Sequence, residues 1–266
     1  MSDMPAPTIL LDKQADGVAV LRLNRPERLN AFTLGMIDDR QAALRDAFDD
    51  AAVRVVIVTG NGKAFCTGAD LDELAAASPR DGIERKDVLW AHIHGIARIL
   101  DAADKPVIAA INGTARGAGC DMTLMCDLRI AAASATFAES YIHHGLVSGD
   151  AGAYYLPRLI GSARALELFW TGRVVGAAEA ERIGLVNQVV PDEQLMNAAQ
   201  ALAGQIAAQP QQAVRLYKRM VRQSPDMALC AHLDMVSSHM SVLQDTPQYK
   251  ERLAASLARM GKPARP

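Results

Sequence analysis

The chain has 266 residues, half of them hydrophobic, with a formal net charge of -2 and a sequence pI near 6.3. This composition predicts a globular protein with one large core, or a core and a small second unit, and the charge argues against nucleic acid or an anionic membrane as a partner. The longest apolar runs, such as VVIV and PVIAAI, are too short to span a bilayer, and no targeting segment is recognised, so we expect a cytoplasmic protein.

The first half of the chain alternates predicted strands with predicted helices. VAVLRL at 18–23 has the alternation of a half-buried strand, and Thr33 is a suitable N-cap for a helix over 34–50 whose apolar residues follow helical spacing while charges fill the rest. VRVVIVTG at 53–60 has the continuous β-branched run of a strand covered on both faces, and a second buried strand is predicted at 106–111. This order predicts an α/β fold in which the loops after the strands build the site.

After Pro191 the pattern is helical, with no convincing strand. We therefore divide the chain into a core of residues 1–195 and a helical region of residues 196–266. The apolar faces of these helices can fold back on the core or be buried in a neighbouring subunit, and the pattern does not choose between the two. The last six residues, GKPARP, are expected to form a loose tail.

Several motifs for cofactors are incomplete. GTARGAGCDM has Met122 where a dinucleotide-binding loop has its third glycine, and TGNGKAF lacks the first glycine of a phosphate-binding P-loop. The histidine pairs are not spaced as a chelate. The cysteines show no CxxC pairing, which favours reduced, mostly buried thiols over disulfides or zinc: Cys66, Cys120, Cys126 and Cys230. We therefore expect no metal and no nucleotide cofactor.

Five segments together resemble the enoyl-CoA hydratase/isomerase (crotonase) superfamily, in order and spacing, from about residue 8 to residue 195. They are NRPERLNAF, GKAFCTGADLDEL, KPVIAAINGTARGAGCDMTLMCDLRIA, FAESYIHHGLVSGDAGAYYLPRLIG and TGRVVGAAEAERIGLVNQVV. The resemblance implies a crotonase spiral of ββα units with a helical C-terminal oligomerisation region, assembled as a homotrimer or a homohexamer (a dimer of trimers). It also implies an acyl-CoA thioester as the substrate, so that coenzyme A enters with the substrate and not as a cofactor.

The same resemblance implies an oxyanion hole formed by two backbone N–H groups, those of Ala69 and Ala118, which stabilise the enolate of the thioester. Alanine stands at 118 where the family more often has glycine, but it keeps the N–H group. The small residues around the second donor, Gly117 and Gly119, let the thioester approach the backbone. Family contacts with the CoA moiety carry over to a set of residues in the first two motifs: Arg25, Arg28, Ala31, Asp70 and Leu71. For Arg28 alone, an exposed turn arginine is an equally good interpretation.

The two glutamates that hold and activate water in the usual hydratases are replaced by Asp121 and Tyr141. Asp121 follows a loop of small residues and opens an apolar helix, where it can act as a general base or hold a water; the alternative is that it only stabilises the helix N-terminus. A phenol with an ordinary pKa near 10 is not a base at neutral pH without a strong shift. Tyr141 can instead donate a proton, orient the substrate or only line the acyl pocket.

Three more side chains are candidates for the same chemistry. Asp150 lies one position beyond a catalytic aspartate of isomerase and dehalogenase relatives, and its alternative role is N-cap of the following helix. His94 matches by spacing a histidine base of a dehalogenase relative, and its alternative is an ordinary surface or core histidine. Glu139 is a further candidate for a second carboxylate.

Hydration of a 2-enoyl-CoA is the expected reaction, with Asp121 moving protons or water beside the enolate. Double-bond isomerisation is the first alternative, because one base can carry a proton between carbons without activating water. Thioester hydrolysis, decarboxylation and dehalogenation are further alternatives within the superfamily. A protein that has lost both glutamates can also bind acyl-CoA without turnover.

Overall fold

The computed structural model describes residues 6–77 and 80–260. The chain divides into two compact units, Met1–Gln205 and Ile206–Pro266. The boundary inferred from the sequence, between residues 195 and 196, lies at the start of the helix Leu195–Ala207. The loose tail expected at 261–266 lies outside the described residues.

Strands of the first unit form two sheets. In chain order they are β1 (Ile9–Lys13), β2 (Val18–Leu23), β3 (Val55–Gly60), β4 (Ala64–Cys66), β5 (Val107–Ile111), β6 (Thr114–Arg116), β7 (Leu128–Ala132), β8 (Thr136–Ala138), β9 (Val175–Gly176) and β10 (Gln188–Val190). The larger sheet has the order β1-β2-β3-β5-β7-β10 and is parallel except for the β1–β2 pair. The smaller sheet has the order β4-β6-β8-β9 and is parallel except for the β8–β9 pair.

The helices lie between these strands and fill the C-terminal part. They are α1 (Leu34–Asp49), α2 (Leu71–Ala76), α3 (Gly82–Val88), α4 (His94–Ala102), α5 (Ala118–Leu124), α6 (Gly152–Ile160), α7 (Ser162–Thr171), α8 (Ala177–Arg182), α9 (Leu195–Ala207), α10 (Gln211–Gln223), α11 (Leu229–Gln244) and α12 (Pro247–Arg259). A π-helical turn, Leu89–Ile93, joins α3 to α4. In the described chain, no helix is both long and apolar enough to cross a bilayer.

Successive ββα units build the core. Strands β3 and β4 precede α2, β5 and β6 precede α5, and β7 and β8 precede α6, with a 3-10 helix at Ser140–His144 before α6. In each unit the first strand joins the larger sheet and the second joins the smaller one. The short strands β4, β6 and β8 were not predicted from periodicity, because three residues are too few to show a period of two.

Several predictions from local pattern are confirmed, and one is wrong in detail. Thr33 caps α1 by accepting a hydrogen bond from the Met36 backbone N–H at 3.1 Å. Every residue of β3 is buried, as expected for a strand covered on both faces. Strand β2 is not half-buried: only Arg22 is partly exposed, because the strand lies between β1 and β3 and helix α1 packs on this part of the sheet.

The turn after β2 holds two successive residues in the left-handed region, Leu29 at φ 51° and Asn30 at φ 56°. Asn30 is fully buried, and its side chain accepts a hydrogen bond from the Arg25 N–H at 2.9 Å. Its amide donates to the carbonyl oxygens of Asn61 at 2.9 Å and Ala64 at 2.8 Å. These bonds attach the turn to the start of β4 and offset the cost of the backbone conformation.

Replacing Asn30 by alanine is expected to lower the free energy of unfolding by about 3 kcal/mol, because buried donors and acceptors lose their partner and the left-handed conformation loses its local support. Asn61→Ala is the matched control, since its side chain makes one bond among the residues that the structure describes, to the Asn24 side chain. That variant should lose about 1 kcal/mol or less. Urea unfolding of both variants measures the difference, and equal losses would contradict this role for Asn30.

Candidate functional site

The candidate site lies at the ends of three neighbouring strands of the smaller sheet. Strands β4, β6 and β8 pair in parallel, so their carboxyl ends meet at one edge. Residues 67–70 follow β4, Gly117 and helix α5 follow β6, and residues 139–144 follow β8. The fold thereby brings together segments that are up to about 75 residues apart in the chain, as is usual for sites at the carboxyl ends of parallel strands.

Small residues hold the first two of these segments in contact. Gly68 has φ +93°, and a Cβ at this position would lie 3.2 Å from the Arg116 carbonyl oxygen and 3.8 Å from the Ala118 nitrogen. A Cβ on Gly119 would overlap the Cys66 carbonyl oxygen. Only glycine therefore allows the loop after β4 and the start of α5 to approach this closely.

The N–H groups of Ala69 and Ala118 have no acceptor within the described residues. Ala118 is the first residue of α5, so its N–H has no partner inside the helix. Ala69 pairs with Phe32 in an isolated bridge, but the bonds of that bridge use the N–H groups of Phe32 and Asp70. Two free donors on contacting loops form an arrangement that can stabilise an oxyanion.

Asp121 lies one turn along α5 from Ala118 and is fully buried. Its Oδ2 accepts hydrogen bonds from the Tyr141 hydroxyl at 2.9 Å and from the Ser148 hydroxyl at 2.8 Å. The Ser148 oxygen in turn accepts from the Gly152 N–H, at the start of α6, at 3.0 Å. Sequence reasoning missed Ser148, because 27 residues separate it from Asp121 and no local motif marks the contact.

The ring of Tyr141 lies against Gly117, which adjoins the free donor Ala118, and against Gly149, which precedes Asp150. A Cβ on Gly117 would lie 3.8 Å from this ring, and one on Gly149 would lie 3.4 Å from it. Tyr141 is therefore situated between the loop that carries Ala118 and the loop that precedes α6. Its hydroxyl group is directed at Asp121, to which it donates a hydrogen bond.

Three carboxyl groups in this region have raised pKa values. Burial raises the pKa of Asp121, while the hydrogen bonds from Ser148 and Tyr141 act in the opposite direction. Burial, and then the charge of Asp121, raise the pKa of Glu139 to about 9 and that of Asp150 to about 8. Asp121 alone among the three receives two O–H donors, and these hydrogen bonds favour its charged form.

Burial also raises the pKa of the Tyr141 hydroxyl well above its ordinary value, and the nearby charge of Asp121 raises it further. The phenol consequently stays protonated, and its O–H group donates a hydrogen bond to Asp121. It is not a free base at any working pH, in line with the expectation from its ordinary pKa.

Glu139 makes stability depend on pH. Between its ordinary pKa of 4.5 and its folded value of about 9, the folded chain keeps this proton and the unfolded chain has lost it. Stability then falls as pH rises through this window, by about 1.4 kcal/mol per unit for one proton. Glu139→Gln removes the term, so the stability of this variant relative to the parent should increase from pH 5 to pH 9. Urea unfolding at pH 5, 7 and 9 measures it, and parallel profiles would contradict it.

The interpretation of Asp150 as a helix N-cap is wrong. Helix α6 begins at Gly152, its N-cap is Ala151, and no side chain caps it. Both carboxyl oxygens of Asp150 are buried without a hydrogen-bond partner in the described part of the chain. His94 lies close by, because its Nε2 is 3.0 Å from the Gly149 carbonyl oxygen and carries the proton of that bond.

Two of the residues expected at the CoA moiety are paired with each other. The Arg25 guanidinium is 3.0 Å from the Asp70 carboxylate, and Asp70 also caps α2 by accepting hydrogen bonds from two backbone N–H groups. These residues hold the loop that carries Ala69. Arg28 is half-exposed and lies 2.7 Å from the exposed carboxylate of Asp72, so it stands on the surface within reach of an anion.

The other two residues expected at the CoA moiety border an apolar surface. Ala31 is partly exposed, and Leu71 is 63% exposed at the start of α2. The segment that follows also exposes Leu74, Ile83 and Trp90. Of these, Leu71 and Leu74 lie on α2 directly after the loop of Ala69 and offer surface there for a long, partly apolar ligand.

Arg40, on α1, is a second residue that sequence reasoning missed. The sequence pattern showed only that charges fill the positions outside the apolar spacing of this helix. Arg40 is nevertheless 1% exposed, and its guanidinium nitrogens have no hydrogen-bond partner among residues 6–77 and 80–260. Burial lowers its pKa, while the Cys126, Cys66 and Asp150 side chains act in the opposite direction through their ionised forms. An arginine in a helical pattern gave no sign of this burial.

The remaining polar groups do not point to a metal or a disulfide. No cluster of three or more His, Cys, Asp or Glu side chains within the described ranges is arranged to hold a metal ion. All four cysteines are free thiols, of which only Cys230 is exposed. The prediction that most of these cysteines are buried is confirmed.

Comparison with known proteins supports the family resemblance along almost the whole chain. The family model described as enoyl-CoA hydratase/isomerase matches residues 13–259. A crotonyl-CoA hydratase of Syntrophomonas wolfei is 36% identical over 250 residues, which are 94% of each chain.

Solved structures of the same family have the same fold. The enoyl-CoA hydratase of Bacillus anthracis is 35% identical with a TM-score of 0.85, over 97% of each chain. A monofunctional enoyl-CoA isomerase of M. smegmatis is 37% identical with a TM-score of 0.72, over 85% of this chain and 98% of its own. The crotonase fold implied by the resemblance is thus confirmed, and the chain belongs to the enoyl-CoA hydratase/isomerase family.

Proposed function

We propose that the protein adds water to a 2-enoyl-CoA thioester through an enolate. The observation that carries this proposal is the pair of free N–H groups, on Ala69 and Ala118, beside the phenol that Asp121 holds. The thioester oxygen would accept both N–H groups, and the negative charge that develops on it in the transition state would be stabilised by donors already in position. Relatives named crotonyl-CoA hydratase and enoyl-CoA hydratase support the same reaction.

Tyr141 and Asp121 would act as a proton relay. The water oxygen bonds to the β-carbon of the substrate while one water proton moves to the Tyr141 oxygen and the Tyr141 proton moves to Asp121. The electron pair of the double bond passes to the thioester oxygen, which forms the enolate. The relay then runs backwards and delivers the proton to the α-carbon, so that one water is consumed. Because the phenol gives and takes a proton in the same step, its raised pKa is no obstacle.

Isomerisation of an enoyl-CoA double bond is the second candidate. It is favoured by the absence of a carboxylate at position 141, since moving a proton between the α and γ carbons needs only one base. The relative from M. smegmatis that is titled a monofunctional enoyl-CoA isomerase supports it. Asp150, with its pKa of about 8, is protonated at neutral pH and would serve either reaction as a proton donor or a polar contact. His94 would act only through the loop that it contacts.

The test uses 2-enoyl-CoA and 3-enoyl-CoA thioesters incubated with the protein in deuterated water and measured by mass spectrometry. Hydration gives a 3-hydroxyacyl-CoA with deuterium on the α-carbon, and Tyr141→Phe and Asp121→Asn should both suppress it. Conversion of 3-enoyl to 2-enoyl thioesters without gain of water would identify the isomerase instead. If every thioester returns unchanged and unlabelled, both reactions are wrong; calorimetric binding of a saturated acyl-CoA would then identify a binder without turnover.

Our proposals for the oligomeric state and the cellular location rest on other features. We propose a homotrimer or homohexamer, because the helices of the second unit expose large apolar side chains: Tyr217, Val221, Leu229, Leu233, Met240 and Val242. Light scattering would test it. Free thiols favour the cytoplasm, and a net charge of -2 disfavours nucleic acid or an anionic membrane surface as a partner. Coenzyme A would enter only with the substrate.

A further inference from the structure

Arg40 and Asp150 are buried polar groups without partners. In the described residues, neither the guanidinium nitrogens of Arg40 nor the carboxyl oxygens of Asp150 have a hydrogen-bond partner. Contacts through the segment 92–94 connect them: Gln41, next to Arg40, bonds to the His92 carbonyl oxygen, and His94 Nε2 is 3.0 Å from the carbonyl oxygen of Gly149, next to Asp150. Gln41, the next residue on α1, is also buried, yet its amide donates to the His92 carbonyl oxygen at 2.9 Å.

Packing does not explain an arginine at this position. Most neighbours on the buried face of α1 are apolar, among them Met36, Ile37 and Leu44, so a leucine or methionine would fill the space without a charge. A buried charge without hydrogen bonds is costly, and native proteins rarely keep such a group without a use. A substrate group that accepts hydrogen bonds would supply the partner that the Arg40 guanidinium lacks among the described residues.

The loop of Asp150 borders the reacting centre. Ser148 binds the Asp121 carboxylate at 2.8 Å, and Gly149 lies against the ring of Tyr141. Asp150 comes next, on the side where the charge of Arg40 reaches it. The Tyr141 ring lies between Gly117, next to Ala118, and Gly149, next to Asp150, so an acyl chain that passes this ring from Ala118 reaches the loop of Asp150.

The chemistry of the pair selects an anion with two oxygens. A guanidinium group presents parallel N–H donors that match a carboxylate. A protonated Asp150 can add an O–H donor to the same carboxylate, and burial favours that protonated form. We propose that Arg40 and Asp150 bind a carboxylate at the far end of the acyl chain, so that the substrates are ω-carboxylated enoyl-CoA thioesters. The claim about the reacting substrates rests on the proposed function, whereas the claim that the carboxylate binds does not.

Binding of saturated thioesters tests the proposal independently of turnover. Calorimetry would compare straight-chain acyl-CoA with the ω-carboxylated acyl-CoA of equal length, for chains of about four to eight carbons. At one length at least, the carboxylated thioester should bind about tenfold more tightly or better, as expected for a charge-assisted bidentate contact. No preference for the carboxylate at any length would overturn the proposal.

Variants of Arg40 locate the preference. Arg40→Met leaves an unbranched side chain without the charge. It should reduce the ratio of the affinities for the carboxylated and the straight-chain thioester to about one, while the straight-chain thioester binds as before. Its melting temperature should not fall, because an unpaired buried charge is removed. If this variant does not fold, Arg40→Lys replaces it and should lower the ratio at least about threefold, since an ammonium group lacks the paired donors. An unchanged ratio in either variant would overturn the proposal.

Turnover measurements separate this inference from the proposed function. Hydration of straight-chain 2-enoyl-CoA without any carboxylate preference in binding would overturn the inference and leave the hydratase intact. A carboxylate preference that Arg40→Met abolishes, without conversion of any enoyl-CoA, would support the site and overturn the reaction.

Discussion

Replacement of Asp121 by asparagine is expected to lower kcat for 2-enoyl-CoA hydration by about a thousandfold, within the range that positioned acid–base groups contribute. The Asp121 carboxylate accepts the Tyr141 and Ser148 hydroxyls through one oxygen, and an amide cannot take up the proton that the relay delivers. KM should change little, because Asp121 is fully buried and does not contact the thioester directly. Steady-state kinetics on one enoyl-CoA measure both constants.

Asp192→Asn is the matched control for this change. Asp192 is exposed and accepts a hydrogen bond from the Ser134 N–H at 3.0 Å, so the same chemical substitution there should leave kcat unchanged. Tyr141→Phe should lower kcat about as far as Asp121→Asn, since both remove one member of the relay. If Asp121→Asn folds normally and keeps kcat within about tenfold of the parent, Asp121 only supports the helix N-terminus and the relay is wrong.

The second large effect is expected at Gly119. Its Cα faces the Cys66 carbonyl group so closely that an alanine Cβ would overlap the oxygen. Gly119→Ala must therefore push the loop after β4 away from α5, at a cost of about 3 kcal/mol in the free energy of unfolding. Any protein that still folds should also lose turnover, because the two N–H groups move apart.

Gly204→Ala supplies the control within a helix. Gly204 lies in α9, and a Cβ there would meet nothing within 4 Å. Alanine should stabilise the protein by up to about 1 kcal/mol, because it favours the helical backbone. Guanidinium unfolding of both variants checks the contrast. Equal stability of the two variants would show that the approach of the loops at Gly119 is not needed.

Features with a local cause could be predicted from the sequence. Thr33 caps α1 because its hydroxyl lies three residues from the N–H it serves, and the β-branched run of β3 predicts a covered strand. The short strands β4 and β6 could not be predicted, since their pairing depends on strands elsewhere in the chain. The resemblance to a family supplied the loops of the site, which local pattern alone did not.

The site partners lie beyond what local reasoning reaches. The contact of Ser148 with Asp121 and the burial of Arg40 both arise from packing between distant segments. Asp150 had the residue type of an N-cap, but the helix begins two residues later and the carboxyl group turns inward without a backbone partner. In each case the residue type was ordinary, and the surroundings changed its chemistry.

The position of the site at the carboxyl ends of three parallel strands has an evolutionary consequence. The segments after β4 and β6 supply the two backbone donors, which depend little on side-chain identity, together with Asp121 on α5. The segment after β8 supplies side chains such as Glu139 and Tyr141. New reactions can then arise by exchanging one module, residues 139–150, while thioester binding is inherited unchanged. Grafting that segment from an isomerase of the same family is the corresponding engineering route to a different reaction on this scaffold.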